Sequence, residues 1–189
     1  MNYLAHAFLS NNNRDLLIGN FIADHVRGNH FENLPPEIVE GIRLHRCIDS
    51  FTDAHPNFKA SKRFFYKGFE KYSGVLVDIY FDYFLAKNFE KHSGILLPAF
   101  SENVYKVYIG CEHLLPQSSS RFLNYVVKNN IYTAYGSTYG IQQVLFHLSN
   151  RINHRVQLDE SVILLKTNET ALEENFNRFF EDVVLEFLK

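Results

Sequence analysis

Val75 to Ala86, VLVDIYFDYFLA, is apolar nearly all the way round a helix, and a chain carrying such a segment has to bury it on every side. Its only charges are Asp78 and Asp82, four residues apart and on the line that continues to Leu85 and Phe89. A buried unpaired carboxylate is costly, and two on one face resist joint ionisation. The segment therefore asks for a cation, either an arginine such as Arg43, Arg46 or Arg151, or a metal ion that accepts both carboxylates together with imidazole nitrogen. Helix capping is the other structural use of these two aspartates.

Gly41 to His55, GIRLHRCIDSFTDAH, packs two His and two Asp into a second helical stretch, which runs from Pro35-Pro36 until His55-Pro56 stops it. His45 and Asp49 are four apart and continue the stripe of Ile38 and Ile42. Leu44, Ile48 and Phe51 form another apolar stripe, and Glu40, Arg43, Cys47 and Ser50 a polar third face. An imidazole and a carboxylate thus extend an apolar line into the interior. Asp53 and His55 lie at the helix exit, where Asx-turn and capping uses compete with a site role.

The remaining chain reads as helices throughout. Met1–Ser10 is a short apolar helix with His6 embedded in it. Asp15–Val26 follows, closed by Arg27 and Gly28, with Asp24 at the end where the helix dipole disfavours a negative charge. Asn57–Tyr72 carries Lys59, Lys62, Arg63, Lys67 and Lys71 against the single acid Glu70, a local excess of +4. Ser101–Leu115 and Ser119–Lys128 are split by Pro116, Gly136–Gly140 is a turn, and Ile141–Arg155 resumes the helical pattern. Glu169–Leu188 closes the chain with Leu172, Phe176, Phe179, Phe180, Val183 and Phe187 at three and four spacings. Strand-like alternation is nowhere sustained, so the expected fold is all-α, a helical bundle in a single domain over residues 1–189.

With 189 residues, eighteen Phe and eleven Tyr, the chain can bury a core without disulfide or metal staples. A net charge of -2 argues against nucleic acid as the main partner. Cys47 and Cys111 form no CxxC pair, no basic leader precedes the first apolar run, and no run reaches a membrane span. These features together predict a cytoplasmic protein.

Four candidate ligand groups lie in separate segments: His6, Asp24, the pair His45 and Asp49, and the pair Asp78 and Asp82. Mixed His and Asp ligands without cysteine favour Mn²⁺, Mg²⁺ or Fe²⁺ over structural zinc. Each residue also has an ordinary reading: His6 as a core histidine, Asp24 as structural, His45 with Asp49 as a surface pair. Asp24-His25 looks like a reversed HD dyad, yet adjacent helical residues point about 100° apart, so His25 is not expected to share a metal with Asp24. The basic segment after Pro56 is either a solvated face or a docking surface for an acidic protein or phosphate-bearing ligand. P-loop, GxSxG and dinucleotide fingerprints do not occur.

MNYLAHAFLS, GNFIADHVRGN, PPEIVEGIRLHRCIDSFTDAHP and VDIYFDYFLAKNF, in this order and spacing, resemble the bacterial acyl carrier protein phosphodiesterases. The resemblance is dense from Met1 to about Phe89, with a weaker echo at Ile141–Ile152. It implies an all-helical, distorted relative of the HD-domain phosphohydrolases, dependent on a divalent metal with Mn²⁺ preferred. The implied reaction hydrolyses holo-acyl carrier protein to apo-carrier protein and 4′-phosphopantetheine. Matched residue by residue, the family's blocks place functional residues at Asp24, His45, Asp49, Asp78 and Asp82. This chain departs from the pattern with His25 for Phe, Cys47 for Arg and Tyr83 for His.

On this reading Asp24, His45 and Asp49 hold metal with Asp78 or Asp82, and the remaining aspartate orients or deprotonates water. His6, Asp53 and His55 are secondary candidates. Arg27, Arg43, Arg46 and Arg151 are candidates for phosphate contact, and the stretch from Lys59 to Lys71 for docking of the acidic carrier protein. Two other functions remain open to the sequence: an HD-like phosphohydrolase for a nucleotide or small phosphodiester, and a non-catalytic helical protein that binds metal or partners.

Overall fold

The computed structural model describes every residue except Arg27, Asn29, His30, Glu32, Asn33, His154 and Lys189. Its helices are α1 (Tyr3–Leu9), α2 (Arg14–Ile22), α3 (Pro36–Ala54), α4 (Pro56–Phe69), α5 (Ser73–Lys87), α6 (Phe89–Ser93), α7 (Leu97–Gly110), α8 (Gln117–Lys128), α9 (Ile131–Ala134), α10 (Thr138–Arg151), α11 (Val162–Thr167) and α12 (Glu169–Phe187). No strand occurs among the described residues, so the fold is all-α as the patterning predicts.

Local chemistry sets several of the boundaries. Asn13 accepts the Asp15 and Leu16 N–H groups at the start of α2. Pro36 and Pro56 open α3 and α4, where a missing N–H costs nothing. At the α3–α4 junction His55 Nδ1 accepts the Asn57 N–H at 3.2 Å, and its Nε2 lies 3.1 Å from Asp182 Oδ2 on α12. His55 therefore caps α4 and ties it to α12, which is the capping use that competed with a site role.

α5 is the buried centre, packed against α1, α4, α10 and α12. Leu76, Val77, Tyr80, Phe84 and Leu85 are fully buried there. Phe81 meets Phe58 of α4 edge-on and lies against Phe176 and Phe179 of α12. Of the closing stripe, Leu172, Phe176, Phe179, Phe180 and Val183 are buried as the spacing predicts, and Phe187, at the end of α12, is partly buried.

Some boundaries differ from the sequence reading. α2 ends at Ile22 and tightens into a 3₁₀ turn over Ala23–His25, after which Val26 is extended. Gly28 has the left-handed φ of 57° expected of a terminating glycine, but beyond the helix rather than at its edge. Gly140 lies inside α10 rather than in a turn: a Cβ there would stand 2.0 Å from the Ala134 carbonyl oxygen, so close approach of α9 demands the glycine. α10 stops at Arg151, not Arg155, and α7 starts at Leu97, earlier than Ser101. α6, α9 and α11, of five, four and six residues, were too short to show a period.

The closest helix crossing is that of α2 on α3. A Cβ on Gly19 would fall 2.0 Å from the Ile38 carbonyl oxygen, and one on Gly41 would fall 2.4 Å from the Leu16 carbonyl oxygen. Both obstacles are backbone and cannot rotate away. Gly41→Ala should therefore lower stability by about 1–3 kcal/mol or more, because the clash outweighs the ~1 kcal/mol that alanine gains over glycine in a helix interior. Urea unfolding followed by circular dichroism measures the change.

Candidate metal and hydrolase centre

The crossing of α2 and α3 places Asn20 beside His45, and the orientation of both side chains follows from their partners. Asn20 Nδ2 donates to the His6 carbonyl at 3.0 Å and to Ser10 Oγ at 3.2 Å. Its oxygen must then face His45 Nδ1, 2.9 Å away, so that nitrogen carries the proton and donates it. His45 Nε2 is left pointing at two carboxylates, 3.3 Å from Asp24 Oδ1 and 3.1 Å from Asp49 Oδ2. A lone pair aimed at anions is repulsive, so this nitrogen calls for a proton or a metal cation.

His6, from α1, stacks on His45 with ring centroids 4.1 Å apart, and its Nε2 lies 3.1 Å from Asp49 Oδ1. Both imidazoles cannot be charged at this distance. Burial, with the His45 charge, pushes His6 down to about 4 despite its bond to Asp49. Burial acts the same way on His45, but its bonds to Asp24 and Asp49 overturn it and lift the ring to about 9. Asp49 is opposed by burial yet held well below the usual carboxylate range by His45 and His6. The His45 bond likewise lowers Asp24. The partner that the helix end demanded for Asp24 is therefore His45.

His6, His45 and Asp49 each offer one ligand atom, and these atoms lie within 4.8 Å of one another. The donor set fits a divalent cation, and His45 fits it best, because its far nitrogen already donates to Asn20 in the manner of metal-bound histidines. The buried His6 Nδ1 has no such acceptor. That arrangement suits a neutral His6 that donates Nε2–H to Asp49.

The two aspartates of α5 part company. Asp82 is fully buried and accepts the N–H groups of Leu4 at 2.8 Å and Ala5 at 3.1 Å, so it caps α1 from another helix. Asn2, at the cap position itself, makes no such bond. Burial pushes the Asp82 carboxyl up to about 7 against these two bonds. Asp78, one turn earlier on α5, pairs with the Met1 amino nitrogen at 2.9 Å, and that nitrogen lies 3.7 Å from Asp49 Oδ1. Enclosure raises Asp78 against the pull of the amine.

A cavity of about 990 Å³ opens on this cluster, and His6, Asp24, His45, Asp49 and Asp78 all line it. Asp53 lies exposed on the same lining, and Arg151 and His25 also face it. Other expected phosphate contacts are elsewhere. Arg43 pairs with Glu40 on an exposed face. Arg46 donates to the Val26 and Gly28 carbonyls and lies over Phe31, which places it on the loop that follows Asp24 rather than on the cavity. Arg27 lies outside the described residues.

The sequence reading missed Asn20, which stands behind His45, and among the cavity residues Tyr3 and Arg121. A lone amide inside LLIGNFI, four residues before Asp24, was the available signal for Asn20. Burial, followed by the nearby Asp24 charge, pushes the Tyr3 hydroxyl well up, so it remains a donor. Arg121 had no sequence signal, since α8 meets the cluster only in three dimensions.

Residues 1–183 match the family model described as acyl carrier protein phosphodiesterase. The chain belongs to the acyl carrier protein phosphodiesterase family. It is 32% identical over 188 residues to the acyl carrier protein phosphodiesterase of Salmonella agona, covering 95% of this chain and 94% of that protein. Its relative of the same name in Shigella boydii is 32% identical over 185 residues with the same coverage. No solved structure matches the chain. The family match spans α8 and α10 as well as the helices that carry the cluster, so both sides of the cavity fall within it.

Two outcomes follow from the geometry of this family member. Asn20→Ala removes the acceptor behind His45 and should weaken divalent-cation binding about 10–100-fold, read by calorimetry. His45 also sets the alkaline limb of the pH response of the metal-free protein. Raised from 6.5 to about 9, it contributes stability that is present below pH 6.5 and lost as pH rises through 9. On the acid side, the loss expected of His6, lowered from 6.5 to about 4, as pH falls is opposed by Asp82, whose carboxyl, raised from 3.8 to about 7, loses stability as pH rises. With chelator present, the melting temperature should fall as pH rises from 6.5 through 9, and Asn replacements at Asp24 and Asp49 should flatten that fall.

Proposed function

We propose that this chain hydrolyses the phosphodiester joining 4′-phosphopantetheine to a serine of acyl carrier protein, with a divalent cation, Mn²⁺ in preference to Mg²⁺ or Fe²⁺, held by His45, Asp24 and Asp49. The single observation that carries the reading is His45 Nε2, turned by Asn20 toward two carboxylates at the mouth of a large cavity, in a chain whose relatives bear that enzyme's name. A bound divalent cation supplies Lewis acidity toward a phosphoryl oxygen and makes water more acidic.

The chain's own residues do the rest. Asn20 keeps the His45 proton on Nδ1, and His6 donates to Asp49 and fixes its second oxygen. Asp78, on the cavity lining with a raised carboxyl and no part in capping, takes the proton of the attacking water. Asp82 keeps α1, and with it His6 and Tyr3, in place. This divides the two α5 aspartates into a base and a positioning residue.

Docking of the acidic carrier protein is assigned to the α4 face bearing Lys59, Lys62, Arg63 and Lys67, with Lys71 just beyond it. Lys59, Arg63, Lys67 and Lys71 are exposed. The Lys62 side chain ends about 4.0 Å from where a Cβ on Gly74 would be, one residue before Val75 on the cavity lining. Lys62 thus reaches the start of α5, next to a residue of the cavity lining. No helix of the described residues is long and apolar enough to cross a membrane.

Purified protein given holo-carrier protein and Mn²⁺ should yield apo-carrier protein lighter by one phosphopantetheine, and chelation should stop the conversion. Asp49→Ala should reduce turnover to background with its helical circular dichroism unchanged. Intact holo-protein after long incubation with metal would reject the assignment.

A further inference from the structure

The acids of the cavity come from α3, α5 and the turn after α2, and its imidazoles from α1, α3, that turn and, with His147, α10, whereas its fixed positive side chains, among the described residues, are Arg121 of α8 and Arg151 of α10. Neither arginine has a carboxylate partner within ion-pair distance among the described residues, unlike Arg14 and Arg43. Arg151 is near enough to the cluster for its charge to act on the Tyr3 hydroxyl alongside Asp24 and Asp49, and on His25 alongside Asp24. Its charge reaches Tyr125 as well, one turn after Arg121 on α8. Two unpaired guanidinium groups thus share a cavity with four carboxylates, yet are not neutralised by them.

We infer that Arg121 and Arg151 form an anion subsite that grips the phosphoryl group of the substrate from the α8 and α10 walls of the cavity that His45 and Asp49 also line. The inference rests on the phosphodiesterase reading for its ligand, a phosphate monoester or diester carried on a flexible arm.

The chemistry favours arginine for this task. A phosphodiester enters with one negative charge and leaves, on the pantetheine side, as a monoester with more. Guanidinium groups bind such oxygens through paired N–H donors and stay charged at any working pH. Phe122, Tyr125, Val144 and Leu148 line the same side, so the two heads meet their ligand beside apolar surface, where the attraction is stronger than in open water. The same apolar wall gives the uncharged pantetheine arm a surface to lie on. A metal centre alone leaves that end of the cavity with no means of telling a phosphorylated arm from a dephosphorylated one.

The test compares 4′-phosphopantetheine, pantetheine and inorganic phosphate as ligands of the Mn²⁺-loaded full-length chain by titration calorimetry. Wild type should prefer 4′-phosphopantetheine to pantetheine. Arg121→Gln and Arg151→Gln should each cut that preference by about tenfold, with Arg→Lys intermediate and Mn²⁺ affinity unchanged. A preference that survives intact in the double Gln variant, with native circular dichroism and Mn²⁺ binding, overturns the subsite. Turnover of holo-carrier protein is scored separately. Cleavage by both variants at the wild-type rate, with the preference kept, rejects the subsite and leaves the function. Arginine-dependent phosphate binding without cleavage by wild type rejects the function and supports the subsite.

Discussion

The contact of α2 with α3 is the constraint on which the site depends. Only two hydrogens separate the helices at Gly19 and Gly41, and the carbonyls of Leu16 and Ile38 fill the space that any side chain would need. That approach brings Asn20, the residue next to Gly19, within 2.9 Å of His45, the residue one turn beyond Gly41. A wider crossing would break the amide–imidazole bond, free the His45 tautomer and leave Nε2 without a defined direction. The backbone geometry of two glycines is in this way converted into the protonation state of one ring.

Electrostatics around that ring then follow without further design. Two stacked imidazoles between two carboxylates cannot all hold their ordinary charges, and burial decides which gives way. His6, enclosed and with no acceptor at Nδ1, becomes neutral, while His45, bonded to Asp24 and Asp49, holds its proton until about 9. A divalent cation taking the place of that proton would be held by the His45 imidazole with the Asp24 and Asp49 carboxylates. Preorganisation of this kind removes the cost of gathering like charges at the moment of binding.

The α5 helix shows how one spacing serves two ends. Asp78 and Asp82 share a stripe, but α1 crosses the helix at Asp82 and offers it two unsatisfied N–H groups, whereas Asp78 faces the cavity. Burial makes a free carboxylate expensive, and the helix terminus makes unpaired donors expensive; their meeting settles both. The arginines divide for similar reasons. Arg46 is drawn to the carbonyls of the loop after Asp24 and Arg43 to Glu40, which among the described residues leaves the cavity to Arg151 and to Arg121.

Much of this was legible in the chain itself. Helical periodicity and the lack of strand alternation determined an all-α fold, because period depends on local backbone geometry. The stripe of Ile38, Ile42, His45 and Asp49 showed that an imidazole and a carboxylate enter the interior, and the misplaced charge of Asp24 showed that it needed a partner. Short helices such as α9 were hidden, since four residues carry no period. Tertiary structure alone decided that His6 stacks on His45, that Asp82 caps α1, that His55 joins α4 to α12, and that Arg121 reaches the cavity. Each of these depends on contacts between residues far apart in the chain, and a local pattern cannot specify which unsatisfied group another helix will bring to a given side chain.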